Sequence, residues 1–334
     1  MKVCIPGNNK GSGGPNSFKR NLIKELINLG IDVDTGFSSR GIDVVLLVGG
    51  TRNINWLRKL RSSNIPVIQR LGPMNWLHQY ESILNSHKWR SVVRNSILFR
   101  IRENFANHVI YQSEFCKTWW TDVKGQDKCG NTVIYNGVDT SLFNPETLQL
   151  SSEALRLISV EGNLAYTQQV YRTPVELTTL LKQKDINVEL TLVGDIDSKG
   201  LREICNYDYV NYVGNIPHVS IREMLVTHDI FISGEINPAC PNSPLEAMAC
   251  GLPVVGFDTG ALSELVLGGS GLCADYGANP WKLEKPDMNN LLNSTIKVNE
   301  NLEYHSTKAL QNVKNNFMLG NMAKEYVKVF KTLI

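Results

Sequence analysis

This sequence lacks any long apolar run: no segment approaches the ~20 consecutive apolar residues needed to cross a bilayer. It also lacks paired cysteines. The seven cysteines, at positions 4, 116, 129, 205, 240, 250 and 273, are scattered, odd in number and free of any C-x-x-C spacing. That excludes a disulfide framework or a cysteine zinc site as the organising device and fits a reducing compartment. Charge of one sign is missing too. Lys plus Arg total 34 against 32 Asp plus Glu, a formal net charge of +2, so no global field points to nucleic acid. The opening MKVCIPGNNKGSGG has too short an apolar stretch for a secretory signal. The expected setting is cytoplasmic, or peripheral on the inner face of a membrane.

What is present is alternation. Apolar runs of buried-strand length fall at 3–6, 43–48, 66–71, 108–112 and 132–135, and again at 156–160, 188–193, 209–213, 230–233 and 253–257. They are near-continuous rather than alternating, as in parallel strands covered on both faces. Helical stretches separate most of them. In the first, Phe18, Leu22, Leu26 and Leu29 share a face, with Pro15 suited to the first position and Gly30 to the stop. Two such series predict an α/β chain of two doubly wound domains. The expected division is 1–150 and 151–316, across the polar stretch 144–152. A closing helix over 317–334 places Met322, Tyr326, Val329 and Phe330 on one face.

The most informative segment is SGEINPACPNSPLEAMACGLPVVGFDTGALSELV, residues 233–266. It reads as strand, loop, helix, strand, loop, helix. Two helix N-termini with free N–H groups near one sheet edge offer a place for a diphosphate. Ser243, Pro244, Leu245 and Glu246 have the S-x-x-E spacing of a capping box. Glu246 thus has two readings: a helix cap on Ser243, or a carboxylate for two ribose hydroxyls. His87, His108, His218, His228 and His305 show no metal-ligand spacing, and no metal site is expected.

LEAMACGLPVV followed by T-G-x-x-x-E resembles the donor-site signature of the retaining glycosyltransferases of family 4. GSGGPNSFKRNLIKELINLG, HVIYQSEFCKTWW, TVIYNGVDTSLFNP and VNYVGNIPHVSIREMLVTHDIFIS resemble other parts of that family, in the same order. The resemblance implies the GT-B fold: two Rossmann-like domains facing each other across a cleft, acceptor side first and donor side second. It implies a retaining, metal-independent transferase in polysaccharide biosynthesis. Its donor substrate would be a nucleotide-sugar, with no cofactor, and its acceptor a glycan or a lipid-linked hydroxyl.

By the same resemblance Glu246 binds the donor ribose. Asn242, Ser243 and Leu245 line the sugar and phosphates, with Thr259 and Gly260 behind them. Gly13 and Gly14 allow close approach to the phosphate, Gly162 and Asn163 stand where the family carries its arginine, and Asn215 and Ile216 lie near the base.

Two departures matter. Pro238 stands where the family has an acid, so Glu235 is the candidate to reach the sugar. The family's diphosphate-neutralising Arg and Lys are missing after the second domain's first strand, leaving Arg172 or Arg70 as candidate cations. His78 is the histidine best placed for an acceptor site. These departures motivate two alternatives: a catalytically weakened nucleotide-sugar-binding protein, or a GT-B enzyme of another reaction such as an epimerase.

Residues 87–105, HKWRSVVRNSILFRIRENF, form a basic amphipathic segment. Trp89, Val93, Ile97 and Ile101 recur every four residues, among Lys88, Arg90, Arg94, Arg100 and Arg102. It fits a helix packed on the first sheet, and also peripheral contact with a membrane.

Overall fold

The structure, a computed structural model, describes residues 1–7, 14–80, 86–145 and 153–334. It divides into two compact units, Met1–Asn136 with Leu319–Ile334, and Gly137–Met318.

The first unit runs β1 (Lys2–Cys4), α1 (Gly14–Asn28), β2 (Asp32–Asp34), β3 (Val44–Val48), α2 (Ile54–Ser62), β4 (Val67–Leu71), α3 (Ser86–Asn104), β5 (His108–Tyr111), α4 (Glu114–Lys124) and β6 (Gly130–Val133). Its strands are parallel, in the order β2-β1-β3-β4-β5-β6. The continuous apolar run of β3 serves two cores at once. Successive strand residues face opposite ways. Val44 and Leu46 therefore join Phe18, Leu22 and Leu26 on one face, while Val45 and Leu47 join Trp56, Leu57, Leu60 and Ile101 on the other.

The second unit runs β7 (Leu155–Asn163), α5 (Gln169–Lys182), β8 (Val188–Asp195), α6 (Ser198–Ile204), β9 (Val210–Gly214), α7 (Ile221–Leu225), β10 (Ile230–Ser233), α8 (Asn242–Ala249), β11 (Val254–Phe257), α9 (Leu262–Leu265), β12 (Gly271–Ala274), α10 (Met288–Glu300) and α11 (Leu302–Asn316). Its parallel sheet has the order β12-β11-β10-β7-β8-β9. The winding reverses between β7 and β10. Open α/β sheets bind ligands outside the carboxyl ends of the strands at such a reversal.

The last helix, α12 (Leu319–Lys331), returns to the first unit, where Leu319, Met322, Ala323, Tyr326, Val329 and Phe330 complete the core over α1. The chain leaves the first unit after Asn136, ahead of the polar stretch expected as the linker. Val138 N donates to Phe317 O at 2.8 Å, and Arg222 donates to Asn144 Oδ1 at 3.0 Å, tying 137–144 into the second unit.

Two strands, β2 and β12, fall outside the apolar runs. Both are short edge strands, one alternating with aspartate and the other opening on glycine, so neither carries the apolar run that marks the inner strands.

Candidate functional site

The site starts from the carboxyl ends of β7 and β10, which lie side by side. β7 closes on Glu161, Gly162 and Asn163; β10 closes on Ser233 and leads through Gly234 to Glu235. Gly234 is required there. A Cβ would press into the Val170 carbonyl group at the start of α5, so only glycine lets the loop pass.

The loop after β10 is tied to the loop after β11. Asn237 N donates to Thr259 Oγ1 at 3.3 Å, and Ala261 N donates to Pro238 O at 2.7 Å. Gly260, at φ 60°, has no room for a Cβ against the Asn237–Pro238 peptide. Thr259 and Gly260 thus brace this loop from behind. Pro238 is buried in that brace, and Glu235 stands at the loop's start, beside the end of β10.

α8 follows at once. Pro241 is its N-cap, no side chain caps it, and Asn242 and Ser243 lie half-buried in its first turn. The capping box read at Ser243 is therefore not formed, because the helix begins two residues too early for that box. Glu246, 8% exposed, instead pairs with His218, whose Nε2 lies 2.8 Å from Glu246 Oε1. His218 belongs to the 3-10 turn His218–Ser220 after β9, and its ring meets Phe143 edge-on at 5.3 Å. This turn brings the segment holding Asn215 and Ile216 to α8. Asn215 is exposed, with its amide 3.4 Å from Asp195 Oδ2, and Ile216 is half-buried. Leu245 is 1% exposed, so its side chain belongs to the core and only its backbone is left for a ligand.

Three carboxyl groups interact across this edge. Burial, then the charges of Glu235 and Glu246, hold Glu161 well above the usual carboxylate range. Burial pushes Glu235 up to about 7. Tyr166, in the loop after β7, is raised by burial and then by Glu235. Desolvation disfavours the charged form of an acid, and a neighbouring anion adds to that. These effects favour the protonated form of Glu161. A protonated carboxyl donates a hydrogen bond and does not repel an anion, so these acids are compatible with a phosphorylated ligand. No three His, Cys, Asp or Glu side chains are grouped to hold a metal ion among the described residues.

Buried polar atoms almost always have partners. Among the described residues six side-chain atoms do not, and four cluster by position: Glu161 Oε1, Thr167 Oγ1, Ser233 Oγ and Asn237 Nδ2. All four lie at the carboxyl end of β7 or β10 or in the loop that follows. They make this edge the place in the second unit where unmet hydrogen-bonding capacity gathers.

Each expected cation is engaged by neighbours of its own unit. Arg172 sits on α5 and is held by Glu203 of α6 through two bonds of 2.7 and 2.8 Å. It lines a groove of about 360 Å³ with Tyr171, Glu203 and Tyr207 on the helical face, and its charge is committed to Glu203. Arg70 is 2% exposed inside the first unit. Its guanidinium lies 3.6 Å over the Phe18 ring and donates to Tyr326 Oη at 3.1 Å and Asn136 Oδ1 at 2.6 Å. His78 closes a local turn, with Nδ1 3.3 Å from Asn75 Oδ1. Asn163 likewise turns its own loop, accepting from Ala165 N at 2.9 Å, and Gly162 is exposed. Gly14 opens α1, while Gly13 lies outside the described residues.

Three residues gain a role only in the fold. Glu161 leaves a signal in the sequence, an acid ending an otherwise apolar strand. His218 leaves none, since its partner is 28 residues away. Lys19 of α1 reads in the sequence as one charge on a helix. Its Nζ folds back to Pro6 O at 3.2 Å, just beyond β1, and burial lowers its pKa.

Residues 156–284 match the family model described as glycosyl transferases group 1. The whole chain resembles a sucrose-phosphate synthase from Thermosynechococcus elongatus, with TM-score 0.73, 16% identity and coverage of 100% and 99% of the two chains. It also resembles HepE of Anabaena, solved in complex with UDP and glucose, with TM-score 0.70, 16% identity and coverage of 99% and 100%. Those likenesses show the fold: two Rossmann-like units of the GT-B class.

Among curated relatives, a phosphatidylinositol N-acetylglucosaminyltransferase subunit of Arabidopsis thaliana is 27% identical over 143 residues, 40% of this chain and 31% of that protein. The lipopolysaccharide core biosynthesis mannosyltransferase LpsB of Rhizobium meliloti is 43% identical over 63 residues, 19% of this chain and 17% of that protein. The matched stretches span less than a third of either relative.

Proposed function

We propose that this chain is a glycosyltransferase that moves a sugar from a nucleotide-sugar to a hydroxyl of a glycan or lipid-linked acceptor, with retention at the anomeric carbon. One observation carries the reading: the cluster of unpartnered buried polar atoms beside three interacting carboxyls, at the winding reversal of the sheet that matches glycosyl transferases group 1. The relatives' names, an N-acetylglucosaminyltransferase and a mannosyltransferase, and HepE's complex with UDP and glucose agree with it.

In this reading Glu246, oriented by His218, accepts hydrogen bonds from the donor ribose. The first turn of α8 faces the diphosphate with its free N–H groups. Glu161 and Glu235 hold hydroxyls of the transferred sugar. The bond from the anomeric carbon to the diphosphate oxygen breaks, and its electron pair leaves with the diphosphate. The acceptor oxygen bonds to the same face of the carbon, and its proton passes to the departing oxygen. Charge on that oxygen must be stabilised. With Arg172 and Arg70 engaged elsewhere, we assign this task to the α8 N-terminus.

The engagement of both arginines favours a second reading, in which the chain binds nucleotide-sugars and turns them over poorly. A thermal-shift panel of nucleotide-sugars followed by turnover assays tests both. A ligand at a hundred times its Kd stabilises by about 2.7 kcal/mol. Stabilisation by one nucleotide-sugar and its diphosphate, with sugar transfer to an acceptor, is the expected result. Stabilisation without transfer supports the second reading, and no stabilisation by any donor refutes both.

A further inference from the structure

The basic segment 87–105 forms one helix, α3, but its apolar residues do not form one face. Four-residue steps advance about 40° beyond a full turn, so Trp89 and Ile101 are about 120° apart around the axis. The stripe that packs is a different one. Ser91 is 2% exposed, Asn95 exchanges bonds with Asn75 at 3.0 and 2.8 Å, and Leu98 and Ile101 lie over Gly50. Arg102, counted in the sequence among the basic charges, is 1% exposed and donates to Asp127 Oδ1 at 2.6 Å. The end near Asn104 is thus anchored in the first unit's core.

The first two turns present a different surface. Trp89 is 61% exposed, Val93 48% and Val92 38%. Arg90 and Arg94 are exposed beside them, Lys88 is half-exposed, and the helix has no acid before Glu103. An exposed tryptophan and two valines flanked by cations complement an apolar surface edged with anions. Tryptophan at the headgroup level, aliphatic side chains just below it and arginines on phosphates are how helices lie on an anionic bilayer. A docking site for a protein core would not require this rim of cations.

We infer that the first two turns of α3, through Trp89, Val92 and Val93 with Lys88, Arg90 and Arg94, dock this chain on an anionic phospholipid surface. The inference does not depend on the donor or on catalysis, so its test leaves the reaction aside. The measurement is co-sedimentation of the full chain with phosphatidylcholine vesicles, with and without phosphatidylglycerol. Binding should require phosphatidylglycerol and weaken as salt rises. The variant R90E/R94E should lower the vesicle affinity roughly tenfold or more, given that each surface cation contributes appreciably near an anionic membrane. W89S/V93S should lower it independently. Both changes fall on exposed positions, so melting temperatures should stay at the parent value, and donor binding should be unaltered.

Three outcomes overturn the inference. One is no sedimentation with either vesicle. Another is equal sedimentation with pure phosphatidylcholine. The third is R90E/R94E and W89S/V93S both binding like the parent with melting unchanged.

Discussion

The two units share a winding principle, and each pairs buried charge, the second through Arg156 and Asp229, but among the described residues only the second also gathers acids without a cation. In the first unit every strongly buried cation described above is neutralised or saturated. Arg102 meets Asp127 and the Tyr111 hydroxyl, and Arg70 meets Asn136, Tyr326 and the Phe18 ring. In the second unit the half-buried Glu161 and Glu235 interact, with raised pKa values and no cation among the causes. A chain has no folding reason to gather acids this way, since desolvation and mutual repulsion both oppose it. Perturbed acids of this kind are what the proposed donor site uses. The comparison teaches where to look: the first unit's buried cations are held by partners, whereas Glu161 and Glu235 in the second unit have no cation beside them to offset their charge.

The largest effect that would sharpen this contrast is in the first unit. Asp127→Ala leaves Arg102 without its carboxylate and should destabilise by about 3 kcal/mol, as breaking a buried pair does; denaturant unfolding measures it.

The second unit should show the opposite sign. Glu235 binds its proton more tightly folded than unfolded, with its pKa raised from 4.5 to about 7. Its contribution is therefore most favourable below about pH 4.5 and is lost as pH rises toward 7. Glu161 acts in the same direction. Glu235→Gln should flatten this slope and leave stability near pH 7.5 unchanged or higher, read from melts across pH. A stability loss at neutral pH from that substitution would mean that the carboxylate is satisfied after all.

His218→Ala should come next. It frees Glu246 from its positioning contact, and should weaken donor affinity by about tenfold, ~1.4 kcal/mol, with little change in melting. The smallest effect belongs to Arg172→Ala. Its pair with Glu203 is partly exposed, and such pairs contribute roughly 0–1 kcal/mol. Donor binding should be untouched, and a lost donor shift would return Arg172 to the site.

Much of the fold can be read from the sequence because buried parallel strands have a one-dimensional signature. The runs at β3, β4, β8, β10 and β11 are visible without a partner. β2 and β12 are not, since β2 alternates with aspartate and β12 opens on glycine, and neither carries an apolar run. The loop ahead of α8 is legible for the same local reason: proline, small residues and glycine at fixed offsets. Long-range pairing is not legible. Spacing alone allows Glu246 as a cap on Ser243, and only the fold brings His218 to it. Arg172 and Arg70 look available in the sequence because nothing local announces Glu203 or Tyr326 as their partners. The four-residue repeat in α3 shows apolar residues but not which of them face the sheet, because a helix turns every 3.6 residues, not every four.

The most direct measurement is calorimetric titration of the stabilising nucleotide-sugar into the parent chain and into Glu246→Gln, a substitution that keeps shape and hydrogen-bonding reach while removing the charge. We expect affinity at least about tenfold weaker, ~1.4 kcal/mol or more, with the melting temperature of the unliganded chain preserved. Equal affinity in the two chains would contradict the placement of the donor at this sheet edge.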